Sequence, residues 1–293
     1  MPAISQTVRP WFRWGASSVA VMFAALVALL LVGDVIYLLE FTRTASPDRV
    51  AEVWREIVSA QTRAELWLSL NTSSFTTILA LLIAVPAGYG LSRCRIPGKV
   101  IVDTLVDAAI VLPPLILGVS LLVCFSLIRR AAVGLGDESG SNAVLQAFYD
   151  FFVYRRPGIV LAQFFVCTAL CVRAMRAAFD GADRRVEAVA LTLGCTPFGA
   201  FRLAALPQAV GGMVSGGVTA WAYAVGLFAP VAIFAGTVRG RTAVLPTRTF
   251  LEVSVGRLEV ALVLTLFMAI IAMSVLITLK LLVDRSKCRG GEV

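Results

Sequence analysis

Six long apolar stretches divide this chain, and each is long enough to cross a lipid bilayer as a helix. A helix rises ~1.5 Å per residue, so ~20 mostly apolar residues span the hydrocarbon core. The mean hydropathy of +0.87 agrees with this, and charged residues make up only 15% of the chain. The stretches therefore predict an all-α membrane protein with about six transmembrane helices. The predicted spans are 16–39, 66–92, 101–128, 158–180, 208–235 and 258–283.

The first stretch predicts an uncleaved span rather than a signal peptide. Arg9 and Arg13 precede it, as in a signal peptide, but its apolar character continues past Asp34 without a clear cleavage site. Lys and Arg are distributed almost evenly between the two sides, so the orientation depends on local basic clusters. Clusters after the second and the last span both predict a cytoplasmic amino terminus. Residues 1–15 and 284–293 are then a cytoplasmic segment and a cytoplasmic tail.

The chain has six cysteines and no histidine, which limits the chemistry available to it. Cys167 and Cys171 lie one helical turn apart, but two thiols without histidine or a nearby carboxylate make a poor metal site. They are predicted to be small apolar core residues. The commonest general base is absent, which counts against catalysis. No metal, cofactor or nucleic acid is predicted, and the net charge of +8 is interpreted as contact with membrane lipid.

Residues 40–65 form a charged linker between the first two spans. Acids and bases alternate along it, while Val50, Trp54 and Ile57 recur at helical spacing. This pattern predicts a short amphipathic helix on the external surface. Its charges indicate either a solvated face or a contact with a delivery protein.

Polar residues and prolines interrupt two of the spans. Thr72, Ser73 and Thr76 open the second span, where hydroxyls either bond to neighbouring helices or line a path for an anion. Pro113 and Pro114 interrupt the third span, and adjacent prolines break the helical hydrogen-bond ladder. Broken helices often lie at transport pathways. These five residues are candidates for a substrate path.

A polar loop, residues 181–207, separates the fourth and fifth spans. Glu187 lies near the start of a predicted helix, Gly194 allows a sharp turn, and Pro197 suits the first turn of a second helix. The spacing of Gly194 from Leu206 and Pro207 resembles the cytoplasmic "EAA" loop of ABC importer permeases. That family places its glutamate at the position of Ala188, one residue after Glu187. The resemblance implies that this loop docks onto an ATPase subunit.

Two further segments resemble the sulfate and molybdate/tungstate branch of these permeases. The first comprises Ile96-Pro-Gly98, Asp107 and Val111-Leu-Pro-Pro-Leu115. The second comprises Phe234-Ala-Gly236, Gly240-Arg-Thr242 and Leu245-Pro246. Before the second segment the family has Gly-Glu-Phe-Gly-Ala, whereas this chain has Gly226-Leu-Phe-Ala-Pro230, so that Leu227 replaces the acid.

The resemblance implies a type I ABC importer permease whose core, residues 66–283, contains five transmembrane helices. It further implies a homodimer, two ATPase subunits and a periplasmic or lipid-anchored oxyanion-binding protein in a bacterial or archaeal inner membrane. Molybdate or tungstate is the expected substrate, followed by sulfate. The sequence contains no G-x-x-x-x-G-K-[ST] phosphate loop, so hydrolysis is expected on a partner chain, and this chain is not expected to be an enzyme.

Several alternatives remain at the level of sequence. Arg239 and Arg241 either attract the oxyanion at the mouth of the path, contact lipid headgroups, or pair with a partner. Importers of polyamines, iron or thiamine share the loop. A secondary transporter needs ionisable residues at mid-membrane, and a membrane-embedded enzyme needs a catalytic cluster.

Overall fold

Every regular element that the structure describes is helical. The structure is a computed structural model that describes residues 10–94, 97–134 and 141–290. The helices are α1 (Pro10–Thr44), α2 (Pro47–Val58), α3 (Ala60–Arg93), α4 (Lys99–Val111), α5 (Pro114–Gly134), α6 (Ser141–Phe152), α7 (Arg156–Gly181), α8 (Arg184–Thr192), α9 (Pro197–Ala200), α10 (Leu206–Gly226), α11 (Ala229–Phe234), α12 (Leu245–Ser254) and α13 (Leu258–Gly290). A π-helical turn, Phe201–Ala205, joins α9 to α10. The all-α prediction is confirmed.

Four of the described helices, α1, α3, α7 and α13, are each long and apolar enough to cross a membrane. The predicted third span is instead a bent pair, because α4 and α5 meet at an angle of 110°. Pro113 and Pro114 cause this break, since neither residue supplies an amide hydrogen to continue the α4 ladder. The predicted interruption of the third span is therefore confirmed, and the bent pair still qualifies as a fifth span.

The predicted fifth span is also interrupted. α10 ends at Gly226 and α11 begins at Ala229, so Leu227 and Phe228 separate two helices where 208–235 was predicted to be one. Pro230 lies in the first turn of α11, where its missing amide costs least. α10 is not among the described helices that are long and apolar enough to cross a membrane.

The core is formed by α3, α7 and α10, which pack closely against one another. Small residues permit this approach: a Cβ atom added to Gly216 would lie 2.5 Å from the Cβ of Ala174 on α7. Cys167 and Cys171 are fully buried in the same core, which confirms them as small packing residues.

The first helices surround this core rather than contribute to it. α1 begins at Pro10 and ends at Thr44, and is thus longer than the predicted 16–39. None of its residues from Ser17 to Thr44 is buried. α2 confirms a helix in the charged linker, and both α1 and α2 contact α13. α13 continues through most of the predicted tail to Gly290. Residues 1–9 of the predicted amino-terminal segment and 291–293 of the tail lie outside the described residues.

Candidate functional site

The helix α8 is held to the end of α3 by a buried ion pair and by a hydrogen bond of 3.3 Å from Arg184 Nη2 to the carbonyl of Ser92. Glu187 is 9% exposed, and its Oε1 atom lies 2.9 Å from Nε and 2.8 Å from Nη2 of Arg93. The hydroxyl of Tyr89 donates to the other carboxylate oxygen at 3.2 Å, and Arg93 Nη2 also donates to the carbonyl of Ala182. Glu187 therefore attaches the loop to α3. Ala188 is exposed and makes no such contact.

The turn after α8 has the geometry that the sequence predicts. Gly194 adopts φ +89°, a left-handed conformation that disfavours any side chain. The hydroxyl of Thr196 then accepts a hydrogen bond from the amide of Gly199, and Pro197 opens α9. A Cβ atom at Gly194 would meet nothing within 4 Å, so the constraint is the backbone conformation rather than crowding.

Leu206 and Pro207 do not begin a separate helix. α9, the π-helical turn and α10 follow one another without a gap, and the amide of Leu206 bonds to the carbonyl of Phe201, five residues back. A wider turn of this kind accommodates a proline that cannot donate to the ladder. Leu206 and Pro207 thus lie in the interior of a longer helical segment.

The loop presents an unusually apolar exposed surface. Leu193 is 80% exposed, Phe198 70% and Leu203 69%, values that a solvated loop would not be expected to show for such side chains. The exposed apolar residues are Val186, Val189, Leu191, Leu193, Phe198 and Leu203. We call these six residues the loop face.

The two helix breaks meet at one cavity of about 570 Å³. Pro113 and Pro114 line it from the break between α4 and α5, and Leu227 and Phe228 line it from the break between α10 and α11. Tyr223 completes the lining together with Leu115, Ala222, Gly226 and Ala229. The lining is mainly apolar and contains no charged side chain. Sequence analysis missed Tyr223, which lies in an ordinary apolar stretch.

Ser73 and Thr76 do not line this cavity. Both are fully buried, and they contact Gln163 of α7: the Thr76 hydroxyl donates to Gln163 Oε1 at 3.2 Å, and Gln163 Nε2 lies 3.4 Å from the Ser73 hydroxyl. Gln163 Nε2 also donates to the carbonyl of Ala224 at 3.0 Å, close to the end of α10. The packing alternative accounts for these contacts, and they satisfy a carbonyl beside the helix break. Gln163 was not predicted as a site residue.

Thr72 occupies a different place. Its hydroxyl donates to the carbonyl of Leu68, and the residue lines an open groove between α3, α6 and α7. The seven candidate path residues are therefore not brought together: Pro113 and Pro114 share the cavity, whereas Thr72, Ser73, Thr76, Arg239 and Arg241 lie elsewhere.

At the end of α3 remote from Glu187, ionised side chains form a dense group. Arg248 is 2% exposed, and its guanidinium lies 2.8 Å from Glu65 and 2.9 Å from Glu56. Arg239 lies 2.7 Å from Glu252. We call the whole group the Arg248 cluster; its members are Arg239, Arg248, Arg257, Glu52, Glu56, Glu65 and Glu252.

The Arg248 cluster alters the electrostatics of its central arginine. Burial lowers the pKa of Arg248, but the hydrogen bond to Glu65 and the charges of Glu65, Glu56 and Glu252 outweigh it and raise the pKa above its ordinary value. Arg239 is committed to pairs within this chain, so its predicted role in attracting an oxyanion has no support from its contacts. The Arg241 side chain forms no ion pair with any residue of the described ranges.

A third charged group lies between α4 and α7. Arg176 pairs with Asp103 and with Asp180, and Arg173 pairs with Asp107. These residues line a cavity of about 310 Å³ at the end of α7 that leads into the loop. Asp103 and Asp107 are thus both paired with arginines of α7. Among the described residues, no group of three or more histidines, cysteines or acids is placed to hold a metal.

These features together define a class: a multi-pass α-helical membrane protein with broken spans and an exposed loop between α7 and α10. Residues 77–287 match the family described as "Binding-protein-dependent transport system inner membrane component". The match covers most of the chain, and the chain belongs to this family of inner-membrane transport components. The prediction of an ABC-type permease that is not itself the ATPase is confirmed.

Relatives with described activities are molybdenum and tungsten permeases. The chain is 30% identical over 221 residues to the molybdenum transport system permease protein of Mycobacterium tuberculosis, covering 75% of this chain and 79% of that protein. It is 32% identical over 187 residues to the corresponding Escherichia coli protein, covering 62% and 76%. It is 37% identical over 157 residues to a molybdate/tungstate permease of Thermococcus kodakarensis, covering 54% of each chain. The match thus spans about half the length of this last relative.

The same architecture occurs in a solved importer. A bacterial ABC transporter that imports the acidic polysaccharide alginate aligns over 95% of this chain and 99% of its own, with a TM-score of 0.68 at 14% identity. A second structure of an alginate transporter, in complex with its periplasmic protein, aligns over 93% and 96% with the same TM-score at 15% identity. At this identity the likeness shows the fold alone. It confirms the predicted importer-permease fold.

Proposed function

We propose that this chain is the membrane permease of an ABC importer for an inorganic oxyanion, with molybdate or tungstate as the main substrate and sulfate next. The observation that carries the proposal is the match to molybdenum permeases over three quarters of both chains. The working assembly is a homodimer of this chain with two ATPase subunits and a periplasmic or lipid-anchored oxyanion-binding protein. It lies in the inner membrane of a bacterium or archaeon, with the amino terminus in the cytoplasm.

The loop face is the proposed contact with the ATPase. An exposed apolar surface of this size on a short helical loop suits a protein partner better than water. Glu187 supports this assignment, because its ion pair with Arg93 joins α8 to α3. Movement of the docked ATPase is then passed to α3 through a charged contact and to α10 through the continuous helix from Pro197.

The cavity at the two helix breaks is the proposed part of the translocation path in this chain. Pro113, Pro114 and Leu227 lie where the backbone departs from regular helix, and such positions change conformation at lower cost than a helix interior. The apolar lining holds no cation that would retain a dianion. Selection of the ion is accordingly assigned to the binding protein, and the permease provides passage.

The test is transport by the purified assembly in sealed vesicles. This chain, its ATPase and its binding protein are reconstituted together, and uptake of molybdate, tungstate and sulfate is measured with and without ATP. We expect ATP-dependent uptake of molybdate or tungstate that stops when the binding protein is omitted. Uptake without the ATPase would overturn the assignment to ABC importers. ATP-driven uptake of a polyamine, iron or thiamine in place of all three oxyanions would overturn the substrate class.

A further inference from the structure

Two adjoining cavities share the side chain of Arg156. The larger is an open groove of about 680 Å³ between α3, α6 and α7, lined by aromatic residues that include Phe75, Phe152 and Phe164. The smaller is a more polar recess of about 290 Å³ whose lining includes Trp67 and Gly240. Leu68, Asn71 and Arg156 line both cavities, so the two form one continuous site with a polar and an apolar part.

The position of this site in the fold matches the edge of a bilayer. Arg156 is the first residue of α7, which is long and apolar enough to span a membrane. Phe164 lies on the same helix, about 12 Å further along at ~1.5 Å per residue. The charged end is therefore at the membrane surface, and the aromatic groove extends from it into the hydrocarbon. Trp67, which is 64% exposed, has the interfacial location that tryptophan favours.

Arg156 is a cation without a carboxylate partner among the described residues. Its Nε atom donates to the carbonyl of Arg241 at 3.3 Å, and this contact leaves both terminal nitrogens available. Neither Arg155 nor Arg241 takes part in an ion pair within the described ranges. The arginines of the Arg248 cluster differ from these three, because every one of them is paired. Of these three arginines only Arg156 lines the site. Glu65 also lines the recess, and its carboxylate is paired with Arg248. The site thus carries one cation without an ion pair among the described residues, beside an apolar groove.

The backbone holds these arginines in place. Tyr154 is the only described residue other than glycine with a positive φ, at 55°. Its amide donates to the carbonyl of Phe234 at 3.2 Å, and its ring lies directly against Gly236. A left-handed conformation at tyrosine persists only where the surroundings enforce it. The turn that leads into Arg155 and Arg156 is therefore fixed by tertiary contacts.

We propose that this site binds one anionic phospholipid of the surrounding bilayer. The phosphate is held by Arg156, with Asn71 beside it, and one acyl chain lies in the groove along Phe75 and Phe164. Charge complementarity together with an apolar lining selects this occupant. A free oxyanion would leave the apolar groove empty. A second copy of this chain would fit only if it placed both a carboxylate and an apolar ridge against the site.

The test uses the fluorescence of Trp67, which lies in the recess. The full chain is reconstituted into vesicles that contain increasing fractions of phosphatidylglycerol or phosphatidylcholine with bromine on the acyl chains near the headgroup. Bromine quenches tryptophan on contact, and subtraction of the Trp67→Phe protein isolates the Trp67 component. We expect half-maximal quenching at an about fivefold lower fraction of phosphatidylglycerol, the ratio that one basic residue near an anionic surface provides.

The Arg156→Gln protein should lose this preference, so that both lipids quench at the same fraction. Arg156→Lys should keep part of it, and Arg55→Gln, which removes an exposed arginine of α2, should behave like the unmodified chain. If Arg156→Gln fails to insert, Phe164→Ala serves as the second variant: it should weaken quenching by both lipids and leave their ratio unchanged. Unaltered quenching in Phe164→Ala would overturn the assignment of the groove.

Other outcomes identify other occupants and overturn the proposal. Equal quenching by both lipids in the unmodified chain would mean an unselective surface. Displacement of phosphatidylglycerol by millimolar inorganic phosphate would mean a site for free anions. Quenching that disappears as more protein is added per vesicle would mean that a second copy of the chain covers the groove.

Discussion

The two ends of α3 are both held by arginine–glutamate contacts, but the contacts are built differently. At one end Arg93 meets a single carboxylate, Glu187, with Tyr89 as an additional donor. At the other end the Arg248 cluster joins α2, α3, α12 and the residue before α13 through several overlapping pairs. One end has one ion pair with supporting hydrogen bonds, and the other has several ion pairs that share partners.

The difference indicates which end is built to transmit movement. Overlapping ion pairs join four segments at once. Each segment therefore stays attached if one ion pair is broken. One ion pair and a hydrogen bond from Arg184 to the Ser92 carbonyl keep α8 in contact with α3, and the loop face stays exposed. We therefore propose that the end with many ion pairs is a rigid platform and that the contact at the other end is the more easily changed.

The strongest test of this contrast is Arg248→Met. The change leaves Glu65 and Glu252 buried without their central cation, and we expect a loss of about 3–5 kcal/mol in the free energy of unfolding. Chemical unfolding in detergent measures it. The matched control is Arg241→Met, which removes an arginine without an ion pair among the described residues and should change stability little. Equal stability of the two variants would remove the platform from the comparison.

Glu187→Gln tests the ion pair between Arg93 and Glu187. The amide cannot replace the charged contact with Arg93, and we expect a loss of about 2–3 kcal/mol together with a marked decrease in ATP-driven uptake. Ala188→Gln alters the neighbouring exposed position and should retain uptake. If uptake in both variants matched that of the unmodified chain, Glu187 would not connect the loop to α3. Vesicle transport assays and unfolding curves provide the two readings.

Gly194 probes the turn between the two short helices of the loop. The left-handed backbone at φ +89° would cost a branched residue about 1–2 kcal/mol, so Gly194→Val should impair uptake while the protein still inserts into the membrane. Asparagine tolerates this conformation, and the surrounding space is open, so Gly194→Asn should be milder. Identical uptake by the two variants would show that backbone conformation does not limit the loop.

Arg241→Glu gives the smallest expected effect. The side chain has no ion pair among the described residues, so stability should change by less than about 0.5 kcal/mol. If Arg241 attracts an oxyanion, uptake at low substrate should decrease by a few fold at low ionic strength and recover in ~0.5 M salt, because salt screens such attraction. A decrease that salt leaves unchanged would instead indicate a structural role.

Much of this fold is accessible from the sequence, because spans and loops follow simple chemistry. Long apolar stretches predict the helices, and the Gly194 spacing predicts a turn that the structure contains. The charged linker predicts α2, and the glycines of α10 predict its close contact with α7. Each of these features depends on local composition or local backbone preference.

What the sequence could not provide are contacts between distant residues. Nothing local indicates that Gln163 supports the end of α10, or that Arg248 pairs with Glu65, far away along the chain. Prolines announce a break but not its 110° angle. Arginine composition alone also cannot separate Arg239, which is paired, from Arg241, which is not.

The unbroken helical path from Pro197 to Gly226 has a mechanical consequence. At ~1.5 Å per residue this helical segment is roughly 45 Å long. We expect it to keep its length when a force acts on one end. We expect displacement applied at α9 to reach Leu227 nearly undiminished and to change the bend between α10 and α11. Spin labels at the two tips should hold a constant separation throughout the transport cycle, with all rearrangement lying beyond Gly226.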